Sequence, residues 1–96
     1  MPTFERTPRF DKDWSALPES SKQRFRESVT KFVADLTTGT FRAGLRVKRV
    51  EGTSAVWEMP WAPNGLATWQ YGEPVRSGET HVVWRRVGTH DIFIAP

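Results

Sequence analysis

The chain has 96 residues and a net charge of +3, which leaves room for one domain (1–96) and one small core, and too little apolar material for a deep two-lobed cleft. Without a single cysteine, disulfide staples and thiolate zinc sites are excluded. Five Trp and six Phe make aromatic rings the main core material, since each buries more area than an aliphatic side chain.

Residues 3–10 read as a first strand, with Pro8 forcing an edge position or a bend. Asp11 is placed to cap a short helical turn that holds Trp14 and Leu17 and closes at Pro18. Phe25, Val29, Phe32, Val33 and Leu36 then fall on one helical stripe, with Ser20 or Ser21 as cap and Gly39 as a left-handed stop. After Gly39 the period drops to two. Residues 45–50 alternate apolar and basic, Gly52-Thr53-Ser54 turns, and residues 55–62 set Trp57, Met59 and Trp61 opposite Val56 and Glu58. Asn64-Gly65 is a hairpin signal leading into residues 66–71, where Ala67, Trp69 and Tyr71 share a face. A polar loop, 72–79, precedes a strand over 81–87, and 91–94 reads as a final extended piece. One or two N-terminal helices on a small, mainly antiparallel sheet is an α+β pattern.

No apolar run approaches the ~20 residues of a membrane helix, and the first residues lack the basic and apolar regions of a signal peptide; the expectation is a cytoplasmic protein with no membrane partner. The positive charge is concentrated. Arg42, Arg46, Lys48 and Arg49 lie between Phe41 and Val50 with no acid among them, and Arg85-Arg86 follows later. Such a cluster fits a polyanion partner, or a strand edge blunted with charge.

Several site types are missing: a Walker spacing, a nucleophile elbow, and a metal-ligand set, since two histidines nine residues apart make a poor one. No metal and no cofactor are expected. The remaining inventory suits metal-free cleavage of RNA by its own 2′-hydroxyl, which needs a base, an acid and preorganised cations around the phosphorus. Lys48, Arg85 or Arg86, and His90 are the candidates, and in an antiparallel sheet they would meet over one surface. Each has a plainer reading. His90 would bond Asp91 or a backbone carbonyl in a turn; His81 would sit on the surface; Glu58 would face solvent or pair with an arginine. In a regular strand Arg85 and Arg86 point to opposite faces, so only one serves a site. Trp57, Trp61 and Trp69 read as core, and Tyr71 as core or as a base-stacking ring.

Phe32-Val33-Ala34-Asp35-Leu36, Gly44-Leu45-Arg46-Val47-Lys48-Arg49-Val50, Trp57-Glu58-Met59 and the closing Trp84-Arg85-Arg86-Val87-Gly88-Thr89-His90-Asp91-Ile92-Phe93 together resemble the RelE/ParE superfamily of bacterial toxins. The resemblance implies a RelE-like fold and the toxin role of a type II toxin–antitoxin pair. It implies a cognate antitoxin as partner, with a possible higher-order complex, and action as a ribosome-dependent mRNA endonuclease. A ParE-like gyrase inhibitor and an attenuated, non-catalytic homologue are the alternatives. By resemblance Lys48 is the basic-strand cation, Arg85 or Arg86 the late arginine and His90 the terminal acid or base; Lys48, Arg85 and His90 are the expected catalytic set, with Arg46, Arg49 and Arg86 expected to bind substrate. Two positions depart from the nuclease pattern: Leu66 stands where an arginine is usual, and Phe93 where a tyrosine is.

Overall fold

In the computed structural model, which describes residues 2–96, β1 (Thr3–Arg6) ends well before residue 10 because Pro8 opens a helix. Proline's fixed φ suits the first helical position, where its missing N–H costs nothing. The cap of α1 (Pro8–Ala16) is accordingly Thr7 and not Asp11: Thr7 Oγ1 accepts from the Phe10 N–H at 3.0 Å. Asp11 lies in the first turn and pairs with Arg6 at the surface. Helix α2 (Glu19–Thr38) starts directly after Pro18 with no side-chain cap, so Ser20 and Ser21 are helical residues and not caps. Its other end is as the sequence implies, with Gly39 at φ 83° and its N–H returned to Asp35 and Leu36.

Four further strands complete one sheet: β2 (Lys48–Arg49), β3 (Trp57–Ala62), β4 (Gly65–Tyr71) and β5 (His81–Gly88). The order is β1-β5-β4-β3-β2, antiparallel except for the parallel β1–β5 pair. This is the α+β arrangement expected, two helices on a mostly antiparallel sheet. The basic strand is shorter than its alternation suggests. Ala43–Leu45 forms a 3₁₀ turn and Arg46 takes the left-handed conformation at φ 56°, so pairing begins only at Lys48. Residues 91–94 are not extended either: His90–Ile94 is a 3₁₀ helix entered through Thr89, whose hydroxyl accepts from Asp91 N.

The helices cover one sheet face. Phe10, Phe25 and Phe32 pack there against Met59, Ala67, Trp69, Val82, Trp84 and Val87, with Trp57 and Trp61 at the margin. Phe32 is fully enclosed, its ring 5.0 Å from those of both Trp69 and Trp84. Truncating such a ring costs about 3–5 kcal/mol. Val50, Val56, Leu66 and Ile92 are also buried but outside this cluster, on the opposite face. There the C-terminal 3₁₀ helix is the cover, with Ile92 seated closely over Gly88.

Candidate functional site

The open face of the sheet carries a row of polar residues defined by strand register. Lys48 pairs with Glu58, Glu58 with Thr68, and Thr68 with Arg86, one residue from each of β2, β3, β4 and β5. Three strand spacings separate Lys48 from Arg86, about 14 Å at the backbone, so the two cannot grip the same atom through their main chains' positions alone. Glu58 is 5% exposed, contrary to the solvent-facing reading, and its Oε1 lies 3.7 Å from Lys48 Nζ. Lysine rather than arginine is its partner.

Next to this row β5 bulges. Thr68 pairs with Arg86 and Trp69 with Trp84, which leaves Arg85 as the extra residue. The bulge overturns the expectation that Arg85 and Arg86 point apart, since both reach the chain segment over the open face. Arg86 Nε and Nη2 each donate to Asp13 of α1 at 2.9 Å, and its Nη1 reaches the Ala95 carbonyl at 3.4 Å. Burial raises the Asp13 carboxyl's pKa, but the bonds from Arg86 and the Val87 N–H outweigh it, and the net direction is down. Arg85 Nη1 donates to Gln70 Oε1, and its Nε to the Pro96 main-chain oxygen at 3.1 Å. Among the described residues no side-chain carboxylate pairs with Arg85.

Two clefts open on this face. One, of about 440 Å³, is lined by Lys48, Arg49, Glu51, Thr53, Glu58, Phe93 and Pro96, together with Val50. The other, about 470 Å³, is lined by Thr7, Arg9, Thr53, Val56, Arg85, Arg86, Ala95 and Pro96. Lys48 therefore sits in one and the two late arginines in the other, with Thr53 and Pro96 shared.

The remaining sequence candidates lie elsewhere. His90 stands at the β3–β4 turn, Nδ1 2.9 Å from Asn64 Oδ1, rather than on Asp91, and lines neither cleft. Its ring is 5.8 Å from that of Phe93, which does line the Lys48 cleft. Arg49 borders that cleft too, with its guanidinium over the Trp57 ring. Arg46 faces a separate cleft on the helix side, beside Lys31 and Arg42. Tyr71, half exposed, stands edge-on to Trp69 at 5.0 Å and lines neither open-face cleft; burial pushes its hydroxyl's pKa up. His81 is not a surface residue. It is 5% exposed, with Nδ1 2.7 Å from Thr3 Oγ1 and Nε2 2.7 Å from Glu5 Oε1, and so fastens β1 to β5. Among the described residues no group of three acidic, histidine or cysteine side chains is disposed to hold a metal ion, and no helix is long and apolar enough to cross a membrane.

Sequence reasoning missed Thr68, wholly buried at the centre of the row, whose hydroxyl donates to the Pro96 oxygen at 3.0 Å. It also missed the bulge, although a signal existed. Trp84 and Val87 are both apolar and three apart, and only an inserted residue sends both to the same face.

No family model matches the chain, and no curated protein sequence matches it. Solved structures do. A metal-bound toxin from Helicobacter pylori is 21% identical with a TM-score of 0.63, covering 95% of this chain and 97% of that one. YafQ from E. coli strain BL21(DE3) is 12% identical with a TM-score of 0.61, covering 99% and 100%. A chain of the RelB–RelE antitoxin–toxin complex from Methanococcus jannaschii is 16% identical with a TM-score of 0.61, covering 93% of each. With TM-scores of 0.61–0.63 and coverage of 93–100% of each chain, this chain has the RelE-like toxin fold.

Proposed function

We propose that this protein is the toxin of a type II toxin–antitoxin pair and that it cuts mRNA on the ribosome without a metal ion. The observation that carries the reading is the polar row of the open face, with Lys48, Glu58, Thr68 and Arg86 in register and Arg85 added by the bulge. It lies in a fold shared with YafQ and with an antitoxin-bound RelE. On this reading Lys48 and Arg85 stabilise the charge that grows on the phosphate oxygens, Arg85 held in place by its hydrogen bonds and Lys48 reaching in from the exposed edge strand. Arg49 and Arg86 flank the strand, and Arg46 meets a more distant part of it. Glu58, enclosed in the Lys48 cleft, takes the proton of the 2′-hydroxyl. That oxygen attacks phosphorus, and the 5′-oxygen leaves with a proton from solvent, since His90 lies at the β3–β4 turn outside both clefts. The products are a 2′,3′-cyclic phosphate and a 5′-hydroxyl.

The antitoxin, on the same reading, is an acidic or amphipathic polypeptide that covers the basic surface. Gyrase inhibition is not favoured, since it has no use for a buried carboxylate flanked by cations. Adding the protein to a cell-free translation extract and mapping RNA ends tests the proposal. Fragments bearing cyclic phosphate are expected, with cutting reduced by roughly a hundredfold in Lys48→Ala, Arg85→Ala and Glu58→Gln variants that remain folded. Intact mRNA at doses that arrest growth counts against cleavage.

A further inference from the structure

Residues 95 and 96 occupy the place where the proposed substrate belongs. Thr68 Oγ1 and Arg85 Nε converge on one atom, the Pro96 main-chain oxygen, at 3.0 and 3.1 Å, and Arg86 Nη1 reaches the neighbouring Ala95 oxygen. We propose that Thr68, Arg85 and Arg86 form a cradle for a phosphate oxygen, and that residues 92–96 are a strap that fills this cradle and must lift before RNA enters.

Three observations support this. First, the charges around the face are not equivalent. Arg86 is matched by Asp13 and Lys48 by Glu58, whereas among the described residues Arg85 has no side-chain carboxylate and is held by the Gln70 amide oxygen and the Pro96 main-chain oxygen. A guanidinium fixed on this face with no side-chain carboxylate beside it can turn its charge to a phosphate oxygen, in the bidentate or charge-assisted geometry that arginine forms with phosphates. Second, Thr68 is fully buried, so its hydroxyl has a fixed direction and meets an oxygen only at this point. Third, Pro96 and Thr53 line both clefts of the open face. Lifting the strap joins the Lys48 cleft to the arginine cleft in one trough that follows the polar row. The strap's attachment is local: the Ala95 N–H returns to the Ile92 carbonyl at 3.0 Å, and Ile92 is its one deeply buried side chain.

This inference rests on the open face being the RNA-facing surface, but its test does not require cutting. The probe is a fluorescein-labelled 2′-O-methyl RNA dodecamer, which lacks the attacking hydroxyl. With the full chain, saturating dodecamer is expected to accelerate hydrogen exchange at the Ala95 amide by about tenfold, while the Trp69 amide is unchanged. Ile92→Ala, which loosens the strap without touching the cradle, is expected to bind the dodecamer roughly tenfold more tightly by anisotropy at fixed salt. Absence of dodecamer binding, or an Ala95 amide equally protected in the saturated complex, overturns the proposal. So does an Ile92→Ala protein with parent-like near-ultraviolet dichroism and no gain in affinity; if that variant does not fold, the exchange measurement on the parent decides. Cleavable RNA that stays intact while the strap lifts overturns the nuclease reading and leaves the strap standing.

Discussion

Asp35 shows how one side chain holds a loop in place. Its carboxylate takes Arg42 Nε at 2.8 Å, Arg42 Nη2 at 2.9 Å and the Arg42 backbone N–H at 2.9 Å, clamping the exit of α2 to the segment before β2. Those bonds, side chain first, lower its pKa from 3.8 to about 2. A depressed carboxylate stabilises the fold at any pH above its unfolded value and loses that contribution as pH falls through the folded one. Thermal melts are therefore expected to show parent stability declining between about pH 4 and pH 2, with Asp35→Asn lacking that part of the decline. An unchanged acid limb in the variant argues against the clamp. The basic character of this stretch was legible in the sequence, yet Asp35 read only as part of a helical motif. Nothing in a helical spacing announces that an acid near the last turn will reach a residue seven positions on. His81 escaped for a related reason, since its two partners, Thr3 and Glu5, lie almost the whole chain away.

At the scale of elements, α1 acts as a substitute strand. Past Trp84 the sheet edge of β5 has no β1 beside it, and the helix supplies the missing partners: Thr7 N to Trp84 O at 3.0 Å, Thr7 Oγ1 to Arg85 O at 2.7 Å, and Asp13 Oδ2 from Val87 N at 3.3 Å. Thr7 thus caps a helix and satisfies the bulge with one hydroxyl. Thr7→Ala is expected to cost about 1–2 kcal/mol in urea denaturation, and Thr7→Ser far less, because the serine hydroxyl serves both bonds. Equal losses in the two variants speak against the dual role. The long helix, the hairpin at Asn64-Gly65 and the core tryptophans were readable because periodicity and turn chemistry are local. The starts of α1 and α2 were not, because proline at or before the first turn displaced the polar residues that read as caps. The basic strand shrank because Arg46 leaves the extended region, a choice made by the preceding 3₁₀ turn and invisible in an alternating pattern.

Taken as a whole, the molecule has two unequal interiors, an aromatic one under the helices and a small aliphatic one under the C-terminal 3₁₀ helix. Leu66 belongs to the second and is fully enclosed. Placing an arginine there puts a charge under that cover, so Leu66→Arg is expected to destabilise the protein by about 3 kcal/mol or more in urea and to lift residues 90–94, seen as faster amide exchange at Ile92. Unaltered stability would mean that the second interior contributes little. The α+β class was evident in the order of patterns, whereas the meeting of distant cations over one surface depends on register and a bulge that only coordinates reveal. The parallel pairing of β1 with β5 has a consequence of its own. The strand made first has no hydrogen-bonding neighbour until residues 81–84 have been synthesised, so the sheet cannot close while the nascent chain is still short. A chain stopped before residue 81 therefore keeps β1 unpaired.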